Sequence, residues 1–107
     1  MVRGVVVVAL AWGLAACSGG ADRGGSGLSG RELFLRHCSG CHPEGGNSKY
    51  PGKSLDRFTL AANGIRTADD IVAVMRHPEQ GMTLFDRRTV GDADARKIAE
   101  YVLTAFR

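Results

Sequence analysis

The sequence predicts an all-α fold of about four helices, and three observations carry that prediction. Ser29 and Thr67 each begin a Ser/Thr-x-x-Asp/Glu capping pattern; the segments after Thr67 and Gly91 repeat apolar residues at helical spacing; and the chain around its paired cysteines reads as helix and loop without a strand.

The first helix is expected from Gly30 to about Cys38. Ser29 caps it, Glu32 completes a capping box, and Leu28 and Leu33 form a hydrophobic staple. It brings Leu33, Phe34 and His37 up to the cysteines. The stretch from Gly45-Gly46-Asn47 to Pro51-Gly52 is rich in turn formers and should be loop. A short second helix follows from about Ser54 to Asn63, ending at Gly64. The third starts behind Thr67, with Asp70 completing its box, Ile71, Val74 and Met75 on one face, and Pro78 as its stop. The last begins at Gly91 or Asp92, where acidic residues suit the positive end of the helix dipole. It places Ile98, Tyr101, Val102 and Ala105 on one stripe. The chain has no internal repeat.

Three segments precede or make up this domain. Residues 1–16 read as an export leader: Arg3 supplies the positive start, Gly4 to Gly13 is apolar, and Leu14-Ala15-Ala16-Cys17 resembles a lipobox, in which cleavage leaves a diacylglycerol-bearing cysteine first. An ordinary signal peptide or an uncleaved anchor is the alternative, but the apolar stretch falls short of the roughly 20 residues that span a bilayer. Residues 17–28 are expected to be a lipid-anchored flexible tether. Five of the ten residues from Ser18 to Gly27 are glycine, and such a chain reaches about 18 Å. Residues 29–107 are the folded domain.

Cys38-Ser39-Gly40-Cys41-His42 carries the chemistry. Cysteines at i and i+3 share one face of a helical turn, so both sulfurs can form thioethers with the two vinyl groups of one porphyrin edge, and His42 then lies under the iron. One covalently bound haem c per chain is therefore expected. The second nitrogen of His42 needs an acceptor, expected to be a carbonyl near Pro51. A thioredoxin-like dithiol would require a βαβ setting, and a zinc site a fourth ligand such as His37 or His77. With Cys17 lipidated and Cys38 and Cys41 on haem, all three cysteines of the chain are used.

Three downstream residues compete for the sixth iron position. Met82 sits between Gly81 and Thr83-Leu84-Phe85 in a loop, where a flexible thioether can be presented to iron. Met75 lies on the apolar face of the third helix and reads as core. His77, beside Pro78, would give a bis-histidine haem. The reading adopted is His42 and Met82 as metal ligands, with Cys38 and Cys41 holding the macrocycle.

Removing residues 1–16 from the 107 leaves 91, enough for one small domain, which a buried macrocycle would help to stabilise. Without Arg3 the chain has 13 basic and 11 acidic residues, a balance that haem propionates would roughly cancel. No basic run with interleaved aromatics is present, so nucleic acid is not an expected partner. Lys53, Arg57 and Arg66 are candidates for propionate contacts, against the plainer reading of solvated surface charge.

These residues resemble the small class I cytochromes c, and within them cytochrome c6. The likeness lies in Cys38-Ser39-Gly40-Cys41-His42, Gly45-Gly46-Asn47, Lys53-Ser54-Leu55, Gly81-Met82 with Phe85, and Glu100-Tyr101-Val102. With Asn63-Gly64-Ile65-Arg66-Thr67 and the lipobox, the chain is most similar to the c6-like outer-membrane monohaem lipoprotein cytochromes of metal-reducing bacteria. The resemblance implies the class I cytochrome c fold, a methionine ligand from the loop before the last helix, and Gly30 and Phe34 crossing that helix near Tyr101. Two departures stand out: Thr83 replaces the usual proline after the ligand, and Val74 a polar haem-edge residue.

The function these readings imply is single-electron transfer, without substrate turnover, by a monomeric low-spin His/Met haem. The expected partners are redox proteins such as other cytochromes, and the expected place is the bacterial envelope, lipid-anchored at the outer membrane and facing periplasm or exterior. Thr83 leaves a second class open, a haem-based sensor or weak peroxidase with a displaceable methionine, and the resemblance a third, an accessory factor for other cytochromes.

Overall fold

In the computed structural model, residues 25–107 are described; the leader, Cys17 and most of the expected tether lie outside them. Four α-helices follow one another: α1 (Gly30–His37), α2 (Arg57–Ala62), α3 (Ala68–Arg76) and α4 (Asp92–Ala105). Two 3-10 turns, Pro43–Gly45 and Pro51–Lys53, interrupt the loop after α1. The described residues contain no strand.

Helices α1, α2 and α3 each start where a side chain satisfies an otherwise unpaired amide, whereas α4 starts at Gly91 without a side-chain cap. Ser29 accepts from the Glu32 amide at 3.1 Å. The reciprocal bond expected from Glu32 is not part of this cap, whereas Thr67 and Asp70 form the complete box at the start of α3. Helix α2 begins later than expected. Ser54 and Leu55 are used to close the preceding turn, with the Leu55 amide donating to the Gly45 carbonyl at 2.6 Å, so Asp56 becomes the cap and accepts from Thr59 at 3.0 Å.

Helices α1 and α4 cross at Gly30, as the resemblance implied. A methyl group there would lie 2.9 Å from Tyr101 Cβ and press on the Lys97 carbonyl, so only hydrogen lets the two backbones approach. Beside the crossing, the Phe34 ring packs on Tyr101 and Phe106 at centroid distances of 5.5 and 5.2 Å. Leu33, Phe34, Leu60, Met75, Val90, Ala95, Ile98 and Val102 make the core, with Leu28 packed against it.

The chain before α1 is docked as well. Ser26 donates its amide to both oxygens of Asp94, at 3.1 and 3.2 Å, and Lys97 Nζ reaches the Leu28 carbonyl at 3.1 Å. Asp94 is buried, so these bonds replace solvation that its carboxylate loses.

Candidate haem-binding cavity

The attachment motif is a sequence of turns growing out of the end of α1. Cys38 closes the helix by donating its amide to Phe34 at 2.8 Å, and the Cys38 carbonyl in turn accepts from Cys41 at 3.2 Å and His42 at 2.9 Å. Cys38, Cys41 and His42 are thereby wound into one tight segment.

His42 Nδ1 lies 2.8 Å from the Gly46 carbonyl. That corrects the acceptor expected near Pro51: the chain reverses within the Pro43–Gly45 turn and returns its own carbonyl to the ring, four residues on. A carbonyl can only accept, so Nδ1 carries the proton and Nε2 keeps the lone pair a metal needs.

Beside this segment lies a cavity of about 250 Å³. Cys38, Cys41, His42 and Met82 all line it, so residues far apart in the chain meet at one site. Its apolar lining comes from every helix: Phe34 from α1, Leu60 from α2, Ile71, Val74 and Met75 from α3, Ile98 and Val102 from α4. Polar lining is supplied by the loops, including Asn47, Lys49, Lys53, Asn63 and Glu79. Two thiols, an imidazole with a free lone pair and a thioether around apolar walls are a donor set that suits a covalently held porphyrin.

The competing ligands separate. Met75 is buried in the core as well as bordering the cavity, whereas His77 ends α3 and faces a different surface depression with Arg76 and Leu84. His37 borders the cavity and meets the edge of Phe85, at a centroid distance of 6.2 Å. Val74 lines the cavity, giving it an apolar border at the position noted as a departure from the resemblance. Of the three propionate candidates only Lys53 is among the lining residues. Arg57 instead binds the end of α4 through the Leu103 carbonyl at 3.2 Å, and Arg66 stands before α3, its amide on Asp70 at 2.9 Å.

The two non-haem readings find no support. Burial pushes the Cys38 thiol up to about 11, opposite to the lowered pKa of a reactive dithiol. Among the described residues, no three His, Cys, Asp or Glu side chains are grouped to hold a metal ion by themselves.

Several lining residues carried no local signal. Tyr50 sits in a turn and Asn63 in a helix cap, and only the folding of α2 against the 47–53 loop brings both to the cavity.

Known proteins are similar to this chain in sequence and in fold. Residues 25–102 match a family described as cytochrome c oxidase, cbb3-type, subunit III. Cytochrome c6 of Bumilleriopsis filiformis is 32% identical over 76 residues, covering 71% of this chain and 87% of the relative. The solved structure of OmcF, an outer-membrane cytochrome of Geobacter sulfurreducens, superposes with a TM-score of 0.72 at 49% identity, covering 74% of this chain and all of that one. Cytochrome c6C of Synechococcus sp. PCC 7002 superposes with a TM-score of 0.65 at 28% identity over 69% of this chain and 89% of that one. The described residues form four helices around the haem-binding cavity, and the chain belongs to the class I c-type cytochromes, as a c6-like electron-transfer member with one covalently bound haem c.

Proposed function

We propose that this protein passes single electrons through a low-spin haem held by Cys38 and Cys41 and ligated by His42 and Met82. The observation that carries the reading is the meeting of His42 and Met82 in one cavity with both cysteines. Bound haem supplies a one-electron iron couple. The protein's part is to keep that couple closed and fixed. The Gly46 carbonyl orients His42 and raises the basicity of Nε2, the apolar side chains of α3 and α4 exclude water, and the Met82 thioether occupies the position an outside ligand would take. With His42 and Met82 both committed to the iron, no site would be left for a substrate, and partners would be met at the exposed edge around Cys41.

Residues 1–16 are read as a leader, Cys17 as the lipid-bearing first residue of the mature protein, and the residues after it as the tether of a monomeric domain. The lipobox-like Leu14-Ala15-Ala16-Cys17 and the 49% identity to a protein named as an outer-membrane cytochrome support an envelope location, with redox proteins such as other cytochromes as partners. No helix among the described residues is long and apolar enough to cross a membrane; the attachment proposed is a lipid on Cys17.

The test is the optical spectrum of the mature holoprotein, ferric and ferrous, with and without carbon monoxide, beside Met82→Ala. The reading expects a methionine–ferric charge-transfer band that the variant lacks, and no response of the wild type to carbon monoxide. A high-spin or carbon-monoxide-binding wild type rejects it in favour of the sensor or peroxidase. Mass spectrometry of Cys17→Ser against wild type reads the lipid.

A further inference from the structure

The chain around Met82 lacks the proline that would stiffen it, yet it is braced from across the cavity. Gly81 has φ +92°, a conformation that side chains rarely adopt, and a Cβ built on it would lie 2.9 Å from Tyr50 Oη and 3.0 Å from Cζ. The Tyr50 ring therefore bears directly on the Gly81 backbone, one residue before Met82. Tyr50 is itself held. Asn47 Oδ1 accepts its amide at 2.7 Å and that of Lys49 at 3.0 Å, while Asn63 Nδ2 donates to the Gly52 carbonyl at 3.0 Å. A second tie, Lys53 to Glu79 at 2.8 Å, joins the same two segments, but both partners are exposed and such pairs contribute little. Within the loop, the Met82 amide makes only a long bond to Glu79, 3.3 Å.

We propose that Tyr50 is a positioning residue that keeps Met82 in place and outside ligands away, by occupying the space against Gly81. The inference rests on Met82 being the axial ligand. Thr83 leaves the backbone after Met82 free to rotate, so restraint has to come from a neighbouring segment. Tyr50 is 47% exposed, so its ring is not core; it borders the cavity and meets the loop at Gly81. Removing the ring frees Gly81 and raises the fraction of molecules in which Met82 has swung away. An outside ligand binds only that fraction, so its apparent affinity rises in proportion.

The experiment is titration of the ferric holoprotein with imidazole, whose nitrogen replaces the Met82 sulfur on iron: one Fe–S bond breaks, one Fe–N bond forms, and no electron is transferred. Loss of the methionine–ferric band reports the exchange. Tyr50→Ala is expected to bind imidazole about tenfold more tightly than wild type. Tyr50→Phe keeps the ring and should stay within about twofold. Wild-type affinity in Tyr50→Ala overturns the proposal, and so does Tyr50→Phe behaving like Tyr50→Ala, because the hydroxyl would then be the restraint. If Tyr50→Ala does not take up haem, Tyr50→Leu takes its place, with affinity raised about threefold expected and wild-type affinity again overturning the idea. A wild type without the methionine–ferric band rejects the Met82 reading itself; with the band present, an unchanged variant rejects only the role of Tyr50.

Discussion

Arg76 Nη1 donates to the Phe85 carbonyl at 2.9 Å, tying the end of α3 to the chain that returns from the Met82 loop. The same nitrogen reaches the Val90 carbonyl at 2.8 Å, and Nη2 meets Asp92 Oδ1 at 2.8 Å on the first residue of α4. The guanidinium is largely covered, at 9% exposure, so these carbonyls have little water to turn to if it is lost. The Phe85 amide adds a bond to the Met75 carbonyl at 3.0 Å, so the return of the loop is set from α3 on both sides of the peptide chain.

Arg76→Met should cost about 1–3 kcal/mol, the loss that follows when buried carbonyls are left unpaired. Arg76→Lys should recover only part, because an ammonium cannot reproduce the planar fork that spans three partners. Guanidinium unfolding of the holoprotein at neutral pH, followed by helix and Soret signals together, measures both. Wild-type midpoints in the two variants would show that the network contributes nothing.

Acid should leave the fold untouched until the ordinary carboxylate range is passed. Hydrogen bonds from Arg76 and then Arg87 hold Asp92 below its usual pKa. The Arg66 and Thr67 amides do so for Asp70, the Thr59 amide for Asp56 and the Thr89 amide for Asp86. Each group titrates lower folded than unfolded, so its stabilisation is complete above the unfolded value of about 4 and disappears as pH falls through the folded one. Unfolding midpoints should therefore be level from about pH 7 to 5 and drop below about 4. Asp92→Asn should shallow that acid limb. A decline already present between pH 7 and 5 would overturn the expectation.

Gly30→Ala should destabilise by about 1–3 kcal/mol, the range for forcing a methyl group into a packed contact. The obstacle is the α4 backbone at Lys97 together with Tyr101 Cβ, neither of which can turn aside as a long side chain would. Urea unfolding reads the loss. A variant as stable as wild type would mean that the helices move apart there at no cost.

Much of the site was legible because it is built from short-range chemistry. The attachment pentapeptide, the Thr67–Asp70 box and the Gly81-Met82 pair each need only neighbouring residues, and each reappears as a structural unit. The start of α2 was misplaced because Ser54 and Asp56 are both competent caps, and the choice between them was made by Leu55 bonding to distant Gly45. The partner of His42 was misplaced for a related reason: the expected carbonyl near Pro51 and the observed one of Gly46 are alike in sequence, and only the path of the turn selects. Arg57 and Arg66 looked equal to Lys53 as cavity cations until folding turned one to the end of α4 and left the other before α3.

The helical class, the order of the elements and the haem-attachment chemistry were all written in the order of residues, because periodicity, capping and cysteine spacing are local properties of a chain. Only the packed fold sets which side chains share the cavity, which carbonyl meets His42, that the Tyr50 ring lies against Gly81 and that Arg76 ties α3 to Phe85. Those relationships join residues from separate turns and helices, and no local pattern encodes a contact that exists only once the helices have packed.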